Sequence, residues 1–331
     1  MQELVLCGDI GGTNSSLSVV SISGNESTIL FLEKYLTKSI SSFPALVNDF
    51  ISLAKKNGYE AGKACFSVAG PLRDGKYVKM TNGELCVDVE EIIGRTALDD
   101  ALVINDFEAI MYGIKIVSYG DLIVLRGSGE SDGTKAVVGA GTGLGTGFLY
   151  YDGKDYLPIS SEGGHMNLPV EDEEDMKFAD FVKKSLNKDS FPTAEDVVSG
   201  PGLELSYKYL QNNSDCPRDV PSVEISRTRD VNVCAKEAYG IFKKFYARMC
   251  RNIALLSFCN GGLYIAGGIA SKNTDIFDDA FFKEFLNHDK FRHLLEKIPV
   301  FLITNYYISH HGAAYAVYCR DYYKGKYKGK G

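Results

Sequence analysis

The residues of this 331-residue chain whose types and spacing could do chemistry are two glycine-rich turns and a small set of carboxylates and amides. Gly8-Asp9-Ile10-Gly11-Gly12-Thr13-Asn14 follows an apolar run and precedes the alternating segment 15–20. Gly139-Ala140-Gly141-Thr142-Gly143-Leu144-Gly145 sits between Ala136-Val137-Val138 and Phe148-Leu149-Tyr150. A single turn of this kind can be tight geometry alone, because glycine reaches positive φ without steric cost. Two of them, each carrying a Thr and one an Asn, set hydroxyl and amide groups beside uncovered backbone N–H groups, which is what a phosphate cradle requires. No G-x-x-x-x-G-K-[ST] occurs, and no G-x-G-x-x-G follows a strand and opens a helix, so P-loop and Rossmann readings fail. A third pair, Ala266-Gly267-Gly268-Ile269, ends a short apolar run and would let a backbone approach a flat ligand closely.

The carboxylates fall at separate places. Asn105-Asp106-Phe107 stands at the end of the apolar run 101–104, the strand edge where open α/β sheets place ligands; it reads equally as a cap for a helix starting at Glu108. Ser161-Glu162-Gly163-Gly164-His165 sets a carboxylate and an imidazole around a flexible pair, with no second His or Cys to complete a metal shell. Glu195, in Thr193-Ala194-Glu195-Asp196, reads either as a ligand-binding carboxylate or simply as a first-turn carboxylate of a capped helical turn. Fixed carboxylates and amides of this sort are also what discriminates one polyhydroxyl ligand from another.

The elements that must position these groups alternate along the chain. Strands are predicted at 3–10, 15–21, 63–68, 101–105, 135–139, 146–151, 262–266 and 300–304, and helices at 42–57, 171–186, 202–211, 231–258 and 311–323. The acidic run 171–175 reads as a solvated helix start, and 324–331, alternating Lys and Gly, as a frayed tail. With 45% apolar and 24% charged residues the composition is that of an ordinary globular protein. A formal net charge of −7 argues against nucleic acid or anionic lipid as partner. No apolar stretch is long enough to span a bilayer and the start is acidic, so the chain is expected to be cytoplasmic, with no membrane attachment. The eight cysteines are scattered without metal-ligand spacing, so buried free thiols are expected rather than a zinc site or a disulfide framework.

Taken in order, the two glycine turns, Met80-Thr81-Asn82, Ile104-Asn105-Asp106-Phe107, Glu162-Gly163-Gly164-His165, Ser199-Gly200-Pro201-Gly202-Leu203 and Ala266-Gly267-Gly268-Ile269 resemble the bacterial-type glucokinase family over nearly the whole chain. The resemblance implies the two-domain actin-like ATPase (ribonuclease H-like) fold, α/β, with an interdomain cleft. The small domain would comprise 1–114 with 312–331, completed by the C-terminal helix, and the large domain 115–311. It implies ATP-dependent phosphorylation of the glucose 6-hydroxyl with Asp106 as general base. Glucose contacts are implied at Asn82, Asn105, Asp106, Glu162, His165 and Glu195. Nucleotide contacts are implied at Gly8, Asp9, Gly11, Gly12, Thr13, Asn14, Gly141, Thr142, Gly143, Gly267 and Gly268. Mg²⁺ would accompany ATP, reached by Asp9 through water, and no zinc is expected.

Where many relatives follow Thr-Asn with His-x-Trp, this chain has Gly83-Glu84-Leu85, which alters one wall of the implied sugar pocket. A kinase for another hexose such as mannose or glucosamine, or with a donor other than ATP, is therefore the first alternative; a non-catalytic sugar- or nucleotide-binding protein is the next. A sugar-sensing repressor would need a helix-turn-helix ahead of the first turn, and seven residues precede Gly8. The long helix and the large domain's surfaces are compatible with a homodimer, with no patch singled out for it.

Overall fold

The computed structural model describes residues 2–80, 85–127, 129, 132–211, 216–218 and 220–328. The chain divides into two units, Met1–Ser118 with Tyr307–Gly331, and Tyr119–Tyr306. The crossings fall after Ser118 rather than after 114, and before Tyr307 rather than before 312. Ile116 and Ile308 explain the difference: both are held by unit 1, Ile116 in one of its core clusters and Ile308 against Gly113.

Unit 1 contains β1 (Glu3–Ile10), β2 (Asn14–Ser23), β3 (Glu26–Leu36), α1 (Phe43–Lys56), β4 (Lys63–Val68), β5 (Leu72–Arg73), β6 (Tyr77–Lys79), β7 (Cys86–Asp88), α2 (Val89–Arg95), β8 (Asp100–Asn105), α3 (Asp106–Ile114) and the C-terminal helix Ile308–Lys328. Its main sheet has the order β3-β2-β1-β4-β8, with β1, β4 and β8 parallel and the β1-β2-β3 meander antiparallel. β5, β6 and β7 form a small sheet of their own.

β1 reads as a continuous apolar run because both of its faces are covered. Alternate residues diverge: Leu6 and Ile10 join Phe43, Val47 and Phe50 of α1, while Val5 and Cys7 join Ala313, Ala314 and Val317 of the C-terminal helix. That helix lies close to α3 because its facing position has no side chain. A Cβ on Gly312 would stand 1.8 Å from the Ala109 carbonyl oxygen.

The helix starts at Ile308, ahead of the expected 311, and is helical to Lys328, into the segment expected to fray. A helix already anchored by packing extends at low cost, since propagation fixes one residue per hydrogen bond gained.

His310 pins the first turn of that helix to β2, its Nδ1 lying 2.7 Å from Ser18 Oγ and its Nε2 2.8 Å from Ser16 Oγ. Burial, reinforced by neighbouring His311, pushes the imidazole down to about 3, against a Cys7 backbone contact that favours the proton. The unfolded chain takes up this proton below about 6.5 and the folded chain resists it, so stability falls as pH drops from about 6.5 towards 3. His310 is expected to remove about 2 kcal/mol between pH 7 and pH 5. Urea unfolding of the wild type and of His310→Gln at the two pH values checks this; equal pH dependence in both would contradict it.

Unit 2 contains β9 (Leu122–Arg126), β10 (Lys135–Ala140), β11 (Leu144–Tyr151), β12 (Tyr156–Ser161), α4 (Glu173–Ser185), α5 (Gly200–Gln211), α6 (Ser222–Thr228), α7 (Val233–Ser257), β13 (Gly262–Ala266), α8 (Gly268–Lys272) and β14 (Val300–Ile303), with short helices at Asp279–Phe285 and Arg292–Leu295. Its sheet order is β12-β11-β10-β13-β14-β9. The first five strands repeat the unit 1 order with the same directions: an antiparallel meander whose first strand continues into two parallel neighbours. In both sheets the glycine turn joins the first strand to the second, which is the structural basis of the internal echo in the sequence.

Two sequence expectations are corrected in unit 2. The acidic run is a solvated helix start only in part: Glu171 to Glu174 are exposed and Asp172 caps α4, but Asp175 is 1% exposed and accepts from Lys244 and Arg248. Burial works against its charge, but those two cations hold the carboxyl below the usual range. Cys216 and Cys234 form a disulfide, their Cα atoms 6.0 Å apart across α6, in place of two free thiols. Eighteen residues separate the pair, and the intervening segment folds back to bring them together, which their spacing did not signal. Burial raises the thiols of Cys7, Cys65, Cys250 and Cys259. Among the described residues no helix is long and apolar enough to cross a membrane.

Candidate functional site

In unit 1 the first turn closes the β1–β2 hairpin. The Gly11 N–H donates to the Asn14 carbonyl at 3.1 Å. Thr37, buried just beyond β3, braces the turn twice: its hydroxyl donates to the Gly11 carbonyl at 2.7 Å and its N–H to the Thr13 carbonyl at 3.1 Å. Ser15 Oγ lies 2.8 Å from the same hydroxyl. Thr37 lies outside the glycine motif; the β2–β3 register, with Asn14 across from Leu36, brings it there. Packing accounts for Gly8, which lies inside β1 where a Cβ would meet Phe66 at 2.7 Å and Leu17 at 3.1 Å.

Asp9 is half-buried, and its Oδ2 accepts from Ser309 Oγ at 2.9 Å. Burial pushes its carboxyl up from the ordinary value, and the Ser309 hydrogen bond opposes that.

β8 delivers Asn105 and Asp106 to the same end of the sheet. The Asn105 side chain caps α3, its Oδ1 accepting the Phe107 N–H at 2.9 Å, while its Nδ2 donates to the Gly70 carbonyl at 3.3 Å. The cap is thus Asn105, and α3 begins at Asp106 rather than Glu108. Asp106 occupies the first helical position and its Oδ1 also accepts from the Phe107 N–H, at 3.1 Å. A carboxylate there gains from the helix dipole. Two residues on, burial raises Glu108, with an Asn105 backbone contact lowering it. Asn82 lies outside the described residues.

In unit 2 the second turn also joins the first two strands but closes one residue tighter, the Gly141 N–H donating to the Gly143 carbonyl at 2.8 Å. It is tied to the start of α5, where the Gly200 N–H donates to the Gly141 carbonyl at 2.9 Å. Glu195 connects this turn to the imidazole. Its Oε2 accepts the Leu144 N–H at 2.8 Å, and its Oε1 lies 3.9 Å from His165 Nδ1. Gly143 makes room for that carboxylate, since a Cβ there would stand 2.5 Å from Oε2. Glu195 sits in an irregular turn rather than a helix, its N–H bonded to the Gly164 carbonyl at 2.9 Å. Glu162 Oε2 lies 3.7 Å from His165 Nε2, and both side chains are open to solvent.

Gly267 has φ +94° and approaches β10 so closely that a Cβ would lie 2.5 Å from the Ala140 carbonyl oxygen. Packing against the second turn's own strand therefore explains this glycine, whereas around Gly268 and Gly141 a Cβ would meet nothing within 4 Å. Among the described residues no group of three or more His, Cys, Asp or Glu side chains is gathered as a metal site.

A family profile for glucokinase matches residues 6–319. The chain belongs to the glucokinase family. Within it, the glucokinase of a Nostoc species is 31% identical, covering 94% of this chain and 98% of its own. Among solved structures, the glucokinase of an Antarctic psychrotroph superposes with a TM-score of 0.81 at 25% identity, covering 96% of this chain and 99% of the other. The glucokinase of Balamuthia mandrillaris, solved in complex with glucose, gives 0.82 at 24% identity, covering 95% and 93%. Membership of the glucokinase family makes the chain an enzyme. The mixed α/β architecture is consistent with the actin-like ATPase fold.

Proposed function

We propose that the chain transfers the γ-phosphoryl group of ATP to the 6-hydroxyl of D-glucose, giving glucose 6-phosphate and ADP. Each unit's glycine turn is read as a phosphate-facing element of an actin-like ATPase. The observation that carries the reading is Glu195, one carboxylate that both fixes the second glycine turn through Leu144 and faces His165. A sugar-facing group and a phosphate-facing turn thereby share one side chain.

Phosphoryl transfer through a loose transition state asks chiefly for alignment and charge neutralisation. The chain supplies alignment through N–H groups from Gly12 to Asn14 and at Thr142 and Gly143, with Thr13 and Thr142 offering hydroxyls. Asp106, fixed at the start of α3, accepts the proton of the 6-hydroxyl as that oxygen attacks phosphorus, and returns it to solvent after ADP leaves. Asn105, Glu162, His165 and Glu195 bind the remaining hydroxyls, and Gly268 borders the adenosine.

The residues fit magnesium bound through water. Asp9 is half-buried with one hydrogen bond, and next to it Ser67 Oγ is buried without a protein partner, as expected where water supplies the missing contact. When bound with ATP, magnesium neutralises charge on the β- and γ-phosphate oxygens.

ADP release by the purified protein with Mg·ATP, across glucose, mannose, fructose, glucosamine, N-acetylglucosamine and no sugar, tests the reading. Release with glucose alone supports it. Release with another sugar alone would reassign the substrate, and release with none would overturn the kinase assignment.

A further inference from the structure

The alternation of β1 decides which way Asp9 faces. Val5 and Cys7 pack towards the C-terminal helix, so Asp9 does too, and there Ser309 meets it across 300 residues of sequence. Ser309 is 5% exposed and follows directly on Ile308, which packs against Gly113 of α3. His310, seated between Ser16 and Ser18, keeps this first turn from rotating.

Ser67 stands across from Asp9 in the parallel β1–β4 register, on the face Cys65 presents to the same helix. It is fully buried, and its hydroxyl has no protein partner. An orphaned buried hydroxyl costs about 1–3 kcal/mol, so its presence beside a carboxylate with a single hydrogen bond points to a further polar occupant. Thr37 and Ser15 brace the turn itself; Ser309 and Ser67 bracket the carboxylate beneath it.

We infer that Ser309 is a positioning residue, occupying Asp9 Oδ2 so that the other oxygen is held out to the water shell of the magnesium that accompanies ATP, with Ser67 as a second contact of that shell. The inference rests on the kinase reading above. No part of it lies in the glycine motif, because the hydroxyl arrives from the far end of the chain.

The test uses full-length protein, Mn²⁺ as probe and a non-hydrolysable ATP analogue, with unbound Mn²⁺ measured by electron paramagnetic resonance. Ser309→Ala is expected to weaken Mn²⁺ affinity of the protein–analogue complex by about 10–100-fold, the usual loss for an outer-shell partner. Analogue binding in EDTA and the glucose KM should be unchanged, and Ser309→Thr, which keeps the hydroxyl, should restore metal affinity. Unchanged Mn²⁺ affinity in Ser309→Ala, or equal weakening with and without metal, would overturn the inference. Should that variant not fold, Ser67→Ala carries the test: weaker Mn²⁺ binding with unchanged metal-free analogue binding supports the role, and wild-type affinity overturns it. Wild-type protein that phosphorylates glucose while Ser309→Ala binds Mn²⁺ normally sinks this inference alone. Wild-type protein that binds no analogue sinks the kinase reading with it.

Discussion

Asp106→Asn is expected to lower kcat by about 10²- to 10⁴-fold, the range for loss of a general base, with a much smaller change in glucose KM. The substitution isolates chemistry from folding. Asn105, not Asp106, caps α3, so the helix keeps its start, and an amide oxygen can still accept from the Phe107 N–H. Steady-state kinetics with thermal unfolding alongside checks it. A variant as stable as wild type and nearly as fast would remove Asp106 from the mechanism.

The other large effect is expected from a single methyl group. Gly164 lies between Glu162 and His165, and a Cβ there would stand 1.8 Å from the Leu144 carbonyl oxygen and 2.9 Å from its carbon. Both obstacles are backbone, so no rotamer change relieves them. Gly164→Ala must drive the Glu162–His165 turn away from the strand that follows the second glycine turn, disturbing the Glu195 contact to Leu144 on the way. Displacement by an ångström costs on the order of 10²-fold in rate, and overpacking costs about 1–3 kcal/mol. We expect kcat/KM for glucose to fall by at least that factor, with a lower melting temperature. Gly141→Ala, with open space around its Cβ, is the stability control. Wild-type kcat/KM in Gly164→Ala would mean that the turn does not position the sugar-facing groups.

These two residues also mark what could be read in advance. Asp106 was visible because a carboxylate after an apolar run sits at a strand edge whatever the rest of the fold does. The glycine turns were visible because their composition is local and occurs twice. Thr37, Ser67 and Ser309 were not, since each acquires its role from pairing: the β2–β3 register, the β1–β4 register and the return of the last helix. The long strand β3 was also missed, although its centre, Ile29-Leu30-Phe31-Leu32, is an apolar run like that of β1; the strand is only half-buried and carries Glu26, Glu33 and Lys34 about that run. Asp175 was misread for a related reason. Five acidic residues in a row look solvated until Lys244 and Arg248, from the middle of α7, come to meet one of them. At Gly267 the sequence pointed to ligand approach and gave no sign of a second demand, the packing that its positive φ and its contact with Ala140 show.

The route of the chain through unit 1 has a consequence for synthesis. Val5, Cys7, Val20, Ile22, Cys65 and Ile104 share their cover with residues 313–319, the last part of that core to be made. At about 5–20 residues per second, a ribosome leaves that apolar face open for many seconds after β1 has emerged. Unit 2 is a continuous segment and has every strand of its sheet before the final helix appears. Unit 2 can therefore fold first, and unit 1 closes this core only once residues 313–319 have been made. A nascent chain that has not yet reached Ser309 lacks the hydroxyl that bonds Asp9, so this carboxylate gains its partner only after unit 2 has been made.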